Sequence, residues 1–304
     1  MGGAYDTQTM PVDPTFAGPP SARRSHRRPA YDTDQAGPAS GGLMATFVLV
    51  HGAWHGSWCW KRVRKTLQAD GHEVFTPTLT GVAERSHLIS PQVSLDTHIA
   101  DVVNLIRWEE LEDVVLCGHS YGGCVITGAA DRLGDRIKAL VYLDAFIIGD
   151  GQALHDVLPP EVRDGQIDGA RERGHGWQVQ PITAEFFRVN TADRAWVDRQ
   201  CTPQPLATFA QPLRLRNSFP AARATHILAT GYEHSPFPPF HESAKRKGWK
   251  TLSIDCGHDV MLDRPAELTA MLREASRPQI APAFAALPPS LAVASAARFA
   301  PRAR

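Results

Sequence analysis

The chain has 304 residues, 43% of them apolar, which is enough to bury a sizeable globular core. Its 32 Lys and Arg are matched by 32 Asp and Glu, so there is no global field to gather nucleic acid or an anionic membrane. No apolar run approaches the roughly 20 residues needed to span a bilayer, and the expected partner is small and weakly charged.

Residues 1–43 are rich in Pro, Gly, Ser, Asp and Arg, without an apolar period, and are expected to form a disordered extension. Their opening "MGGAYDTQTMPVDPTF" lacks the basic-then-apolar order of a secretory signal. Translation starts at Met1 or at Met44, which stands directly before the first strand-like run. Five scattered cysteines without a CxxC pair fit a reducing, cytoplasmic setting.

A folded domain is expected over 44–277. Short apolar runs at 47–50, 73–75, 114–117, 139–143, 226–229 and 251–254 read as strands, and most are continuous enough to be covered on both faces, as in a parallel sheet. Between them lie helical spacings: Trp60, Val63 and Leu67 before a stop at Gly71; Ile99, Val102, Val103 and Ile106 after an N-cap at Ser94; Ala129, Ala130 and Leu133 before Gly134. This alternation predicts a doubly wound α/β fold.

The first strand runs into "HGAWHGSWCW", whose His51-Gly52 turn brings the Ala53 amide toward the sheet edge. His51 and His55 stand four apart in that turn rather than on one helix face, so no metal site is expected, and no organic cofactor is indicated. The third strand leads into "CGHSYGG". There Gly118, Ser120 and Gly122 form G-x-S-x-G between a strand and a helix, the context in which a serine is presented as a nucleophile. The amide of Tyr121 is the second expected donor to an oxyanion. The fourth strand ends at Asp144. A long stretch, about 146–222, then breaks the alternation and carries Phe146, Trp177, Phe186, Phe187, Trp196 and Phe209, which reads as a mostly helical cap. Past the last strand, "CGHDVMLDRP" places His258 at the same sheet edge as a general base, before a helix opened by Pro265. Residues 278–304 are an Ala/Pro-rich tail, again expected to be disordered.

"FVLVHGAWHGSW", "CGHSYGG" and "GHDVMLDRPAEL" resemble the α/β-hydrolase superfamily, in particular bacterial carboxylesterases related to the plant methylesterases and hydroxynitrile lyases. The resemblance covers about 46–272. It implies an α/β-hydrolase fold, with a mostly parallel doubly wound sheet and a helical cap inserted after the sixth strand. It also implies Ser120 as nucleophile, His258 as base, and the Ala53 and Tyr121 amides as oxyanion hole. The family's acid usually follows the strand at 226–229, where this chain has Tyr232 and then Glu233. Asp144, a position used by other superfamily members, is favoured over Glu233, which stays open. Hydroxynitrile lyases of this branch carry a threonine and a lysine where this chain has Gly52 and Asp259.

The leading expectation is therefore a carboxylesterase, acting through an acyl-enzyme on small, largely apolar esters. Trp54, His55, Trp58 and Phe146 are expected to form its substrate pocket. The alternatives are a receptor-like ligand-binding module with little turnover and a lyase-like carbon–carbon cleavage. Monomer and homodimer are both compatible with the sequence.

Overall fold

The computed structural model describes residues 44–217 and 223–277. The expected extension at 1–43 and tail at 278–304 lie outside the described residues. Six strands form one sheet in the order β2-β1-β3-β4-β7-β8: β1 Thr46–Val50, β2 Glu73–Phe75, β3 Val114–His119, β4 Ile137–Leu143, β7 Ala224–Ala229 and β8 Lys250–Ile254. All neighbouring pairs are parallel. Every residue of β3 is buried, and so are four of the five in β1, whereas the edge strands β2 and β8 are partly exposed. The six strands stand within a few residues of the sequence expectation because continuous Val, Ile and Leu runs are stable only under cover on both faces.

The covering helices are α1 Lys61–Ala69, α2 Leu95–Trp108, α3 Gly122–Leu133, α8 Pro238–Arg246, α9 Val260–Asp263 and α10 Pro265–Ser276. α1 buries Val63 and Leu67, α2 buries Ile99, Val102, Val103 and Ile106, and Ser94 is the N-cap of α2, with Thr97 Oγ1 accepting its amide at 3.2 Å. Gly134 ends α3 with φ 57°. Among the described residues no helix is long and apolar enough to cross a membrane.

β2 and β3 pair with opposite edges of β1. The connections after β1 and β3 therefore leave in opposite directions and open a crevice at the carboxyl ends of those strands, the usual ligand site of such sheets. The cap leaves the sheet between β4 and β7. The expected insertion after a sixth strand is thus corrected to the fourth, since two of the six strands follow the cap. The cap is also less helical than expected. It holds α4 Leu154–Val157, α5 Pro160–Arg173, α6 Arg194–Gln200 and α7 Ala207–Ala210, plus an antiparallel pair of β5 Gln178–Val179 and β6 Gln204–Pro205. Only α5 among these exceeds two turns. The Arg62 guanidinium of α1 anchors the cap, holding both Asp193 oxygens at 2.6 and 2.8 Å.

Packing between β1 and α3 leaves no room at Gly122. A Cβ there would stand 2.8 Å from the His51 carbonyl oxygen and 2.9 Å from that of Val50. Gly122→Ala should lower the urea unfolding free energy by about 1–3 kcal/mol, the usual cost of overpacking. Gly165→Ala, on α5 where a Cβ meets nothing within 4 Å, should be neutral or stabilising by up to about 1 kcal/mol.

Candidate active site

β3 delivers its last residue to the crevice and the chain then reverses into α3 through Ser120, which has φ 54°. That left-handed conformation is costly for a residue with a side chain. It is held by the Ser120 amide donating to the Leu143 carbonyl at 3.2 Å and the Phe146 amide donating to the Ser120 carbonyl at 3.2 Å. The turn also requires Gly118, where a Cβ would fall 2.5 Å from the Gly122 carbonyl oxygen. Ser120 is left half-buried at the crevice floor.

His258 arrives from the loop after β8, its amide donating to the Phe187 carbonyl at 2.9 Å. Its Nδ1 lies 2.6 Å from Asp144 Oδ2, and Asp144 Oδ1 accepts the Ala229 amide at 3.0 Å. Asp144 is fully buried and, like Ser120, left-handed, with φ 41°. Burial pushes its carboxyl above the usual carboxylate range, against the His258 hydrogen bond, and so makes it a more basic acceptor. Glu233 lines the same cavity but is paired with Arg188 rather than with His258: its side chain is 79% exposed and meets Arg188 at 3.5 Å. The His258 ring is fixed by Phe237, stacked at 5.1 Å, and by Phe187 at 4.9 Å.

These groups open into a cavity of about 580 Å³. Ser120, His258, Ala53, Tyr121, Trp54 and Phe146 all line it. The rest of its wall is largely apolar and comes mostly from the cap, with Phe187 and Phe209 prominent. Neither the Ala53 amide nor the Tyr121 amide has a protein acceptor among the described residues. Tyr121 is anchored by its hydroxyl donating to His98 Nδ1 at 2.9 Å.

Two of the expected pocket residues are not in the wall. His55 and Trp58 turn away from the cavity and stack on each other at 5.0 Å, Trp58 packing against Trp196. The reason is a buried carboxylate at the position where hydroxynitrile lyases carry a lysine. Asp259 is fully buried, and its Oδ2 sits 3.1 Å from His55 Nε2. Burial alone would raise the Asp259 pKa, but His55 outweighs it, with His119 and His258 adding to the effect, and holds the carboxyl well below its usual range. Burial alone would lower the His55 pKa, and Asp259 with the Ala53 carbonyl raises it above the usual value. His119, Asp259 and His258 bring one potential ligand atom each within 4.8 Å. Nε2 of His119 faces the His258 carbonyl at 3.1 Å, Nδ1 of His258 faces Asp144 and Oδ2 of Asp259 faces His55, which leaves His119 Nδ1 and Asp259 Oδ1 without a hydrogen-bond partner among the described residues. The signal that would have found Asp259 is its place beside His258 in an otherwise apolar "VML" context. A Cβ at Gly52 would stand 2.9 Å from both His119 Nδ1 and Ser120 Cβ, so a threonine does not fit there without rearrangement.

Residues 47–271 match the alpha/beta hydrolase family. The chain is similar to the carbendazim hydrolyzing esterase of Nocardioides sp. (strain SG-4G), 48% identical over 238 residues that cover 75% of this chain and 98% of that protein. It is also similar to the alpha-hydroxynitrile lyase of Arabidopsis thaliana, 35% identical over 102 residues, which cover 33% of this chain and 40% of the lyase. Among solved structures, an extracellular alpha/beta-hydrolase from a Paenibacillus species superposes with a TM-score of 0.67 at 25% identity, over 77% of this chain and 100% of that one. That protein is described as sharing structural and functional homology with tobacco salicylic acid binding protein 2.

The His55–Asp259 contact sets a pH window. A folded pKa raised above the unfolded histidine value of about 6.5 gives stability that is complete below that pH and lost as pH rises through the folded value. A folded pKa depressed below the unfolded aspartate value of about 3.9 gives stability that is present above that pH and lost on acidification. The difference in urea unfolding free energy between wild type and Asp259→Asn should therefore be largest and level between about pH 4 and 6.5 and shrink on either side. Parallel pH profiles for the two proteins would reject this account.

Proposed function

The chain belongs to the alpha/beta hydrolase family, and from that premise we propose a carboxylesterase-type serine hydrolase in which Ser120 is the nucleophile, His258 the general base and Asp144 the carboxylate that orients it. The 2.6 Å contact between His258 Nδ1 and Asp144 Oδ2, in the wall behind the cavity that exposes Ser120, carries the assignment. It disposes His258 with Nε2 available for proton transfer.

Ser120 Oγ attacks the ester carbonyl while His258 takes its proton, forming a tetrahedral oxyanion that the Ala53 and Tyr121 amides stabilise. Such donors are worth about 2.7–4 kcal/mol each. His258 returns the proton to the leaving alcohol. A water, deprotonated by the same imidazole, then attacks the acyl-enzyme; the bond from the acyl carbon to Ser120 Oγ breaks, the imidazolium returns its proton to Oγ, and the acid leaves. Asp144 stabilises the imidazolium formed in each half. No metal or organic cofactor enters these steps.

The substrate is a small, largely apolar ester, in keeping with a cavity walled by Trp54, Phe146 and Phe209. Similarity to the carbendazim hydrolyzing esterase makes carbendazim the first compound to try. All five cysteines are free thiols, in support of a cytoplasmic setting.

Wild type should hydrolyse p-nitrophenyl esters and consume carbendazim, with Ser120→Ala falling at least about 10³-fold in kcat. Asp144→Asn should lose on the order of 10⁴-fold, while Glu233→Gln stays within about threefold, as expected for an exposed charge. Collapse of Glu233→Gln with an active Asp144→Asn would reverse the acid assignment. If no ester turns over yet one raises the melting temperature, the protein is a receptor.

A further inference from the structure

His55 is buried in the turn after β1, two residues past the amide assigned to the oxyanion. Its Nδ1 lies 2.8 Å from the Ala53 carbonyl oxygen and its Nε2 lies 3.1 Å from Asp259 Oδ2. A carbonyl and a carboxylate can only accept, so both ring nitrogens must donate, and only the imidazolium can do that. Three buried histidines nearby read differently. His51 donates from Nδ1 to the Gly52 carbonyl and accepts the Leu79 amide at Nε2; His98 accepts from the Tyr121 hydroxyl and donates to the Thr80 carbonyl. His119 donates to the His258 carbonyl, and its Nδ1 has no partner among the described residues. None of the three needs a second ring proton. The face of His55 is covered by the Trp58 indole at 5.0 Å and 19°, an arrangement that favours a cation.

The peptide linking Ala53 to Trp54 is therefore gripped on both edges. His55 holds its carbonyl, and its N–H, that of Trp54, donates to Gln204 Oε1 at 2.9 Å. Trp54 has φ 64°, a conformation that persists only where the surroundings over-determine it. Asp259, which holds the far side of His55, is the residue directly after His258.

We propose that His55, an imidazolium paired with Asp259, is a positioning residue that sets the Ala53 turn at the height of the tetrahedral oxygen and ties that turn to the segment carrying His258. This rests on the esterase reading of the cavity. The pair touches no substrate. Its effect is on the transition state, where a displacement of the order of 1 Å in a donor is costly.

The test combines protonation and turnover on the full chain. Long-range ¹H–¹⁵N spectra of the wild type at pH 8, with His55 identified by its absence in His55→Gln, should find both of its ring nitrogens protonated, and Asp259→Asn should convert it to a neutral tautomer. In ester hydrolysis His55→Gln should lower kcat about 10- to 100-fold with KM within about threefold. Asp259→Asn should do the same, and the double variant should be no worse than either single one. A neutral His55 in the wild type, which needs no substituted protein to detect, overturns the proposal. So does an unchanged kcat in folded His55→Gln or Asp259→Asn, and so does a loss confined to KM. Wild type no faster than Ser120→Ala would instead remove the esterase reading, and the positioning role with it.

Discussion

The left-handed turn at Ser120 is the constraint on which the rest of the site depends. A residue with a side chain at φ 54° costs of order 1–3 kcal/mol, so the turn survives only where packing leaves the chain no alternative. Three features supply that. β3 is buried along its whole length, Gly118 and Gly122 let α3 fold back against β1 and β3, and the end of β4 is stitched to Ser120 by two backbone hydrogen bonds. The same stitching fixes where β4 stops. Asp144 emerges from it with φ 41° and turns its carboxylate under the sheet edge toward His258, and the cap begins at the next residues. Ser120 and Asp144 are thus set by one local arrangement of two adjacent parallel strands. His258 is added by the loop after β8.

How much of this the sequence discloses follows from how local each feature is. The strands and the G-x-S-x-G turn are written in neighbouring residues, so the places of Ser120 and His258 at the sheet edge are legible in the chain itself. The carboxylate that meets the imidazole is not. Asp144 and Glu233 each follow a strand of the same sheet, and only the three-dimensional path of the turn after β4 brings one of them to 2.6 Å from the imidazole. The sequence puts His55 and Trp58 in the pocket because aromatic walls reward hydrophobic burial of a substrate. A buried partner, Asp259, turns His55 inward, and Trp58 follows it. The cap was the least legible part. Its longest helix, α5, buries only Ala170, so it has no apolar stripe for a periodicity argument to detect.

The site's interior is unusually rich in histidine, and burial decides what those rings can do. His51 is pushed down to about 3 and His98 to about 4, so both are neutral scaffolding, each donating to one backbone carbonyl and accepting from one further group. They lock the turn after β1 and the Tyr121 side chain without adding charge near the nucleophile. Ionic character is confined to two carboxylates, Asp144 and Asp259, each facing a different imidazole. The two carboxylates are therefore not interchangeable: one is paired with His258, the other with His55 and, through it, the turn after β1.

The cap joins these layers in a way that links specificity to rate. Trp54 lines the cavity, yet its backbone is held by cap residues on both sides, its N–H by Gln204 and its carbonyl by the Thr202 amide at 3.1 Å. Ala53, immediately before it, lines the cavity as well. A cap substitution that reshapes the apolar wall would therefore also press on the Ala53–Trp54 peptide, which His55 grips from the core side through the Ala53 carbonyl at 2.8 Å.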